Sequence, residues 1–211
     1  MRDPLAGTGI DERLARQLAF CVEVDKVKSV LRRNLVTDGS RPENDAEHMW
    51  HLALMALVLE EYSAAPVDLR RVISMVVIHD LVEIDAGDAF VYDVAARAAA
   101  LDRELAAAER IFNLLPADQA AWMRGLWDEF EAKQSAEARF AEALDRLQPL
   151  LMNATADGGG WAAHAITADR VYATNSVIDR GAPKLWAAGR GVLRQAVADG
   201  VLVPAVLSEN R

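Results

Sequence analysis

A histidine followed directly by an aspartate, His79-Asp80, is the feature of this chain that most clearly indicates chemistry. The pair ends a mostly apolar run over residues 72–78, where two solvated polar side chains are not expected. An imidazole and a carboxylate together suit a divalent cation. Burying such groups is costly unless a cation or another partner satisfies them, so the sequence predicts a site here. Further groups of the same kind lie nearby in sequence: His48, His51, Glu83, Asp85 and Asp88.

The amino-acid composition predicts a globular protein. Of the 211 residues, 52% are hydrophobic and 26% are charged, which allows a substantial core and argues against global disorder. No apolar run approaches the ~18–20 uncharged residues needed to cross a bilayer, and we find no apolar signal-peptide core near the N-terminus. We expect one domain over residues 1–211, with the motif-bearing core at about 20–155 and a C-terminal helical extension at about 160–211.

Charge and cysteine content narrow the range of partners and compartments. The formal net charge of −9 argues against a long basic surface for duplex nucleic acid. Small anionic substrates remain compatible with that charge, because a metal ion and a few arginines can reverse the field locally. A single cysteine, Cys21, cannot form an intramolecular disulfide, which fits a reducing cytoplasm. We expect Cys21 to be a small apolar core residue.

Apolar residues recur every three or four positions along most of the chain, so we predict an all-α fold. A first helix is expected to reach Leu31, and the turn residues of 36–44 predict a loop. Asp45 is the expected N-cap of a central helix through Leu59. The β-branched run 72–78 is compatible with a buried strand, but we favour a helix because the chain offers no partner strands. The Gly158-Gly159-Gly160 run predicts a flexible connector.

Asp145 lies on a predicted amphipathic helix. At 100° per residue, it falls beside the apolar stripe of Phe140, Leu144, Leu147 and Leu151. Two interpretations stay open for it: a boundary aspartate that pairs with an arginine, or an inward carboxylate that is satisfied by a metal. The opposite, solvated side of the same helix is expected to carry Arg139, Glu142 and Arg146.

The ordered pattern His48 … His79-Asp80 … Asp145 resembles the HD-domain metal-dependent phosphohydrolase superfamily. The stretch 41–48, the Glu three residues after Asp80, and Gly87-Asp88 resemble its small bacterial 5′-deoxynucleotidase branch. The resemblance covers roughly residues 20–155. It implies an orthogonal helical bundle, the HD-domain fold, with additional helices at the C-terminus.

The resemblance assigns one divalent metal ion to His48, His79, Asp80 and Asp145. Two neutral imidazoles and two carboxylates would leave open positions for water or a phosphate oxygen. Such a mixed nitrogen and oxygen set favours Mn²⁺, Co²⁺, Fe²⁺ or Ni²⁺ over Zn²⁺, which prefers four ligands. His51 would then be a core residue or a neighbour of the ligands.

The resemblance also implies catalytic roles for Glu83 and Asp88. Hydrolysis of a phosphate ester needs an aligned water and a proton for the leaving oxygen. Glu83 lies one turn after His79-Asp80 and could orient or deprotonate that water, and Asp88 could supply the proton. The division of these roles stays open, and Asp85 is expected to be a solvated acidic residue.

A phosphate substrate beside several carboxylates needs a further cation. Arg33 lies fifteen residues before His48, where the resembled enzymes place a phosphate-binding arginine, and Arg41 lies in the matched stretch. Arg32 is expected at the surface. The resembled enzymes carry a tryptophan directly after the arginine, whereas this chain has Asn34; Trp50 is expected in the core and does not replace it.

Together these features predict a metal-dependent phosphomonoesterase that removes the 5′-phosphate of (deoxy)nucleoside monophosphates. One alternative is another HD-type enzyme, namely a phosphodiesterase, a pyrophosphohydrolase or a nucleoside triphosphohydrolase. The other is a helical scaffold or regulatory module with a structural metal, although such a site would not need Glu83 and Asp88. The resembled enzymes form homodimers, so we expect a homodimer here.

Overall fold

The computed structural model describes residues 9–205, apart from the side chains of residues 94, 97 and 98. Over that range the chain forms eleven α-helices and one two-stranded antiparallel sheet, which confirms the all-α prediction. The elements are α1 (Glu12–Val24), β1 (Leu31–Leu35), β2 (Pro42–Asn44), α2 (Asp45–Leu59), α3 (Leu69–Val76), α4 (Glu83–Ala86), α5 (Val94–Phe112), α6 (Ala117–Ala132), α7 (Ala136–Thr155), α8 (Gly159–Ala163), α9 (Ala168–Asn175), α10 (Ile178–Gly181) and α11 (Pro183–Ala198).

The hairpin β1–β2 replaces the end of the predicted first helix and the last three residues of the predicted loop over 36–44, whereas residues 36–41 connect the two strands as that loop prediction expected. Helix α1 ends at Val24, and a 3₁₀ turn over Asp25–Ser29 leads into β1. Leu31 pairs with Asn44 across the hairpin. The prediction was wrong because these short strands are mostly polar and show no clear alternation of apolar residues, the pattern by which strands are identified. The hairpin carries Arg32, Arg33 and Asn34 toward the site described below.

Helix α2 begins one residue earlier than predicted. The N-cap is Asn44, whose side chain accepts from the backbone N–H of Glu47, while the Glu47 carboxylate accepts from the backbone N–H of Asn44. This capping box satisfies two otherwise unpaired N–H groups. It leaves Asp45 in the first turn, where its side chain is buried. Trp50 was expected in the core, but it is 65% exposed.

Helix α3 confirms the helical interpretation for residues 72–76 of the run before His79, and residues 77 and 78 form a turn. Asp68 caps it by accepting from the N–H groups of Arg70 and Arg71. The helix ends at Val76, and a 3₁₀ turn over His79–Val82 follows. Val72, Met75 and Val76 are buried, so the turn after them lies inside the fold. The adjacent His79 and Asp80 therefore emerge within the core.

Helix α7 crosses the centre of the molecule and is buried on more sides than its sequence predicted. Phe140, Leu144 and Leu147 are buried as expected. Glu142 was assigned to the solvated side, but it is buried and accepts a 2.9 Å hydrogen bond from Arg180 of α10. The C-terminal helices cover this side of α7, and the periodicity of α7 alone could not reveal that covering.

The glycine run is not a flexible connector, because Gly159 and Gly160 begin helix α8. The backbone N–H of Gly160 donates to Asn153 Oδ1 at 2.7 Å. A Cβ at Gly160 would lie 2.8 Å from the carbonyl oxygen of Arg33. The absence of a side chain thus lets α8 approach β1 and support the strand that carries Arg33.

Two other sequence expectations can be checked in the described part of the chain. Cys21 is exposed, so it is not the core residue we expected. Among the described residues, no helix is both long and apolar enough to span a bilayer.

Gly181 on α10 provides a test of this packing. A Cβ there would lie 2.0 Å from the carbonyl oxygen of Arg139, so the α7 and α10 backbones would have to separate. We expect Gly181→Ala to lower the free energy of unfolding by about 1–3 kcal/mol, as for other overpacked sites. Gly125→Ala is the matched control. A Cβ at Gly125 meets nothing within 4 Å, so this change within α6 should raise stability by about 0.5–1 kcal/mol. Chemical denaturation of both variants measures the difference, and equal effects would contradict the packing described here.

Candidate active site

The four predicted metal ligands converge inside the helical core. His48 comes from α2, His79 and Asp80 from the 3₁₀ turn after α3, and Asp145 from α7. His48 Nε2 lies 3.0 Å from Asp145 Oδ1 and 3.9 Å from Asp80 Oδ2. His79 Nε2 lies 3.1 Å from Asp80 Oδ1 and 3.6 Å from Asp145 Oδ1. All four residues are buried.

The Nδ1 contacts of the two imidazoles direct their Nε2 atoms into the cluster, where His48 Nε2 lies within hydrogen-bond distance of Asp145 Oδ1, at 3.0 Å. His79 Nδ1 lies 3.0 Å from the carbonyl oxygen of Val76, which can only accept, so Nδ1 carries the proton. His48 Nδ1 lies 3.1 Å from Gln148 Oε1 and is protonated for the same reason. In the neutral rings, both Nε2 lone pairs then face carboxylate oxygens. His79 Nε2 is buried and makes no hydrogen bond. A cation between these groups would remove the repulsion between the Nε2 lone pairs and the carboxylate oxygens. The set of nitrogen and oxygen donors fits a divalent metal ion.

The local field acts differently on the two histidines. Burial, together with the nearby Arg32 guanidinium, lowers the pKa of His48 to about 4, so this ring is neutral at physiological pH. Burial also acts to lower the pKa of His79, but the carboxylates of Asp80 and Asp145 outweigh it and raise that pKa. The same negative field that attracts a proton to His79 attracts a metal cation.

Asp145 is an inward carboxylate, as the metal-ligand interpretation required. Burial alone would raise its pKa, but Arg146, His48 and His79 outweigh that effect and lower the pKa well below its ordinary value. Arg146 Nη2 lies 3.8 Å from Asp145 Oδ2. The carboxylate therefore keeps its charge in the core, where a metal can use it.

Arg32 is not a surface residue, contrary to the sequence interpretation. Its Nη1 lies 2.7 Å from Asp80 Oδ2 and 3.3 Å from Asp45 Oδ1, and its Nε lies 3.6 Å from Glu43 Oε2. Burial acts to lower the pKa of Arg32, but the surrounding carboxylates, Asp80 first, outweigh it and raise the pKa further above its ordinary value. The strand geometry of β1 explains the error, because a side chain that would be solvated on a helix points inward here.

A second group of carboxyls, Asp45, Asp80 and Glu83, is close enough together to hold a cation. The Arg32 guanidinium already lies against Asp45 and Asp80. Asp45 Oδ2 and Glu83 Oε2 are buried and receive no hydrogen bond from another group, while the two carboxyls contact each other. Burial and the charges of Asp80 and Asp45 raise the pKa of Glu83 to about 12. Glu83 therefore holds its proton far more tightly than an exposed glutamate does.

A cavity of about 460 Å³ opens from the metal-ligand cluster. Among the predicted site residues, its wall includes His79, Asp80, Asp145, Glu83, Asp88 and Arg33. Burial raises the pKa of Asp88, and the negative charge of Asp80 adds to this effect. Asp88 is therefore a carboxyl that holds its proton more tightly than an exposed aspartate does.

The structure separates the two arginines that were predicted to bind phosphate. Arg33 is exposed at the edge of the cavity and contributes to its wall. Arg41 instead forms a two-pronged, exposed ion pair with Glu47, with N–O distances of 2.8 and 2.7 Å, and it is not part of the cavity wall. Asp85 is exposed and pairs with Arg110, as expected for a solvated acidic residue.

Two further cations contribute to the cavity wall: Lys133, which sequence reasoning missed, and Arg146, which it assigned to the solvated side of α7. Lys133 Nζ lies 3.4 Å from the centroid of the Phe130 ring, and burial lowers the pKa of this lysine. Phe130 in turn packs against His79, with ring centroids 4.8 Å apart. Lys133 directly follows α6 with a left-handed backbone, φ 52°, and no local sequence signal predicts its inward direction.

The same cavity has an aromatic side formed by Phe90, Tyr92 and Trp161. Phe90 and Tyr92 contact edge to face, with ring centroids 5.2 Å apart. Asn34, at the position where a tryptophan was expected, accepts a 3.1 Å hydrogen bond from Asn153. Aromatic surface is therefore present in the cavity, although it comes from the segment after Asp88 and from α8.

Comparison with known proteins identifies the class to which this fold and site belong. The HD domain family model matches residues 24–186. The chain therefore belongs to the HD domain family, which confirms the resemblance noted in the sequence.

Individual relatives agree with the family assignment. The chain is 32% identical to human 5′-deoxynucleotidase HDDC2 over 135 residues, which cover 64% of this chain and 65% of the human protein. The mouse protein of the same name is 31% identical over 148 residues, covering 70% and 71%. The match thus spans just under two thirds of the human relative's length. A crystal structure titled as a predicted metal-dependent phosphohydrolase from Magnetospirillum magnetotacticum MS-1 superposes with a TM-score of 0.87 at 50% identity, covering 91% of this chain and 96% of that one.

The burial of Arg32 predicts a large difference between two adjacent arginines. Arg32→Met would leave Asp45 and Asp80 without their cation, and we expect a loss of about 3–5 kcal/mol in the free energy of unfolding. Arg33→Met is the matched control, since Arg33 is exposed, and its effect should stay within about 0.5 kcal/mol. Urea denaturation of both variants measures the difference. Similar small effects would contradict the buried ion pairs.

Proposed function

We propose that this protein is a divalent-metal-dependent phosphomonoesterase that removes the 5′-phosphate from (deoxy)nucleoside monophosphates. The observation that carries the proposal is the convergence of two imidazole Nε2 atoms and two buried carboxylates at the inner end of a cavity lined by cations. The cavity volume of about 460 Å³ lies within the ~300–1,000 Å³ range of small-molecule sites. Membership of the HD domain family and the relatives named 5′-deoxynucleotidase support this substrate class.

The proposed cofactor is one divalent ion held by His48, His79, Asp80 and Asp145. When bound, it would polarise the phosphate and lower the pKa of water. The nitrogen and oxygen donor set favours Mn²⁺, Co²⁺, Fe²⁺ or Ni²⁺ over Zn²⁺. We propose one ion rather than two because Arg32 already provides the cation for the neighbouring carboxyls, at 2.7 Å from Asp80 and 3.3 Å from Asp45.

The remaining residues have roles that follow from their position and charge. Arg33 at the cavity edge would bind the phosphate, with Lys133 and Arg146 adding positive charge deeper in the cavity. Asp88, whose pKa is raised by burial, would give a proton to the leaving 5′-oxygen. Glu83 would orient the attacking water from its place beside Asp80. Arg41, paired with Glu47 outside the cavity, has no part in this proposal.

Measurement of phosphate release tests this function. Metal-stripped protein would be given Mn²⁺, Co²⁺ or Zn²⁺ and a panel of 5′-deoxynucleoside and ribonucleoside monophosphates, with diester and triphosphate substrates alongside. We expect orthophosphate release from monophosphates only when metal is present. Asp80→Ala should abolish release, and Asp85→Ala, which removes an exposed carboxylate outside the cavity, should retain it.

Other outcomes of this panel would overturn the proposal. A preference for a diester or a triphosphate would move the assignment to another HD-type enzyme. Turnover of none of the substrates by folded, metal-loaded protein would support a structural metal. Full metal-dependent activity in Asp80→Ala would contradict the proposed ligand set.

We also propose that the protein is a homodimer that associates through helix α2. Trp50, Leu54, Leu57 and Val58 form an exposed apolar stripe along one side of this helix. Positions separated by three and four residues share one helix face, and contiguous apolar surface of this kind marks interaction sites. The cytoplasmic location predicted from the single cysteine stays a prediction.

Sedimentation velocity tests the dimer. We expect the wild-type protein to sediment as a dimer and Leu57→Glu to sediment as a monomer, because a carboxylate would be desolvated in the interface. Trp122→Arg is the control, since Trp122 is similarly exposed but lies on α6. A monomeric wild-type protein, or a dimer that survives Leu57→Glu, would contradict the proposal.

A further inference from the structure

Gln148 on α7 connects His48, a candidate metal ligand, to Glu43 and His51, which lie outside the metal-ligand cluster. Its Oε1 lies 3.1 Å from His48 Nδ1. Its Nε2 lies 2.6 Å from Glu43 Oε1 and 3.3 Å from His51 Nδ1. The Gln148 side chain is fully buried and Glu43 is 5% exposed, so water does not substitute for these contacts.

These contacts define one orientation of the Gln148 amide. Its NH₂ donates to Glu43 Oε1 at 2.6 Å, where the carboxylate oxygen is the acceptor. The second amide hydrogen faces His51 Nδ1, which accepts it as a lone pair. The carbonyl oxygen is therefore directed at His48. Turning the amide over would bring its oxygen against the Glu43 carboxylate.

The orientation of Gln148 determines which nitrogen of His48 carries the proton. An acceptor at Nδ1 requires Nδ1–H, and the neutral ring then presents an Nε2 lone pair to Asp145 and Asp80. An amide NH₂ at Nδ1 would favour the opposite tautomer, with a proton on Nε2, where the metal is expected. The tautomer of His48, a proposed metal ligand, is thus set from Glu43. Within the described part of the chain, Glu43 makes no hydrogen bond to Asp145 or His79.

The hydrogen-bond geometry links Glu43 to the amide, because Gln148 Nε2 lies 2.6 Å from Glu43 Oε1. Burial raises the pKa of Glu43, and the nearby Arg32 guanidinium and the hydrogen bond from Gln148 oppose that effect only in part. Glu43 Oε2 lies 3.6 Å from Arg32 Nε and 3.7 Å from His48 Nδ1, and it is buried without a hydrogen-bond partner. Glu43 Oε1 is therefore the oxygen that orients the Gln148 amide.

We propose that Glu43 and Gln148 are positioning residues that set the His48 tautomer and thereby the affinity of the site for its metal. This inference rests on the metal centre of the proposed function, although not on the identity of the substrate. Hydrogen-bond partners of metal-bound histidines commonly change metal affinity by about 10- to 100-fold when they are replaced.

Glu43→Gln is the first test, because it changes one atom and keeps the shape. If the new NH₂ faces Gln148, the Gln148 amide must turn over; if it faces the other way, it meets the N–H donors of Arg32 and His48. We expect the dissociation constant for Co²⁺ to rise by about 10- to 100-fold. The measurement is a titration of metal-stripped protein with Co²⁺, followed by its visible absorption. Glu61→Gln, at an exposed position, is the matched control and should bind Co²⁺ as the wild type does.

The exchanged pair, Glu43→Gln with Gln148→Glu, distinguishes a tautomer effect from packing. The amide at position 43 can then donate to the carboxylate at position 148, and that carboxylate accepts from His48 Nδ1. His51 is only partly buried and can take the tautomer with a proton on Nδ1. We expect the exchanged pair to recover most of the Co²⁺ affinity that Glu43→Gln loses. We also expect the phosphohydrolase activity of Glu43→Gln to return at saturating metal.

Two results would overturn the inference: Co²⁺ binding by Glu43→Gln as tight as that of the wild type, or no recovery in the exchanged pair. If Glu43→Gln loses stability, the exchanged pair still distinguishes a tautomer effect from a packing effect, because a general packing role predicts no recovery of metal affinity. The titration contains no substrate. A wild-type protein that binds Co²⁺ but hydrolyses no monophosphate would therefore refute the proposed substrate without affecting this inference.

Discussion

Negative charge buried at one point of the helical core is the constraint on which the other features of this structure depend. Asp45, Asp80 and Asp145 are all buried, and isolated carboxylates in such a setting are strongly destabilising. Arg32 offsets part of this charge through Asp45 and Asp80, and the proposed divalent ion would offset a further part. The buried carboxylates therefore determine both the proposed metal chemistry and the stability of the core.

The fold brings these groups together from separate parts of the chain. The hairpin turns Arg32 inward, the capping box places Asp45 in the first turn of α2, and the turn after α3 carries His79 and Asp80. Helix α7 contributes Asp145 and, one turn later, Gln148. Because α9 and α10 cover α7, the C-terminal part of the chain closes the cavity around the site.

Much of this arrangement could be predicted from sequence. Helical periodicity identified α3 and α7, and the ordered motif identified the family and four residues that the structure brings together. The errors have a common physical origin. Arg32, Glu142, Lys133 and Trp50 were misassigned or missed because their exposure is set by elements distant in sequence, such as the hairpin and the C-terminal helices. Local periodicity contains no information on what covers a helix, so the wall of the cavity required the structure.

The most direct test of this account is the metal stoichiometry of the protein, measured by calorimetric titration of metal-stripped chain with Mn²⁺. We predict one Mn²⁺ per chain for the wild type and loss of this binding in His79→Ala, since His79 Nε2 is a buried nitrogen without a hydrogen-bond partner. Two ions per chain would contradict the role of Arg32 as the second cation. Unchanged binding in His79→Ala would contradict the metal centre itself.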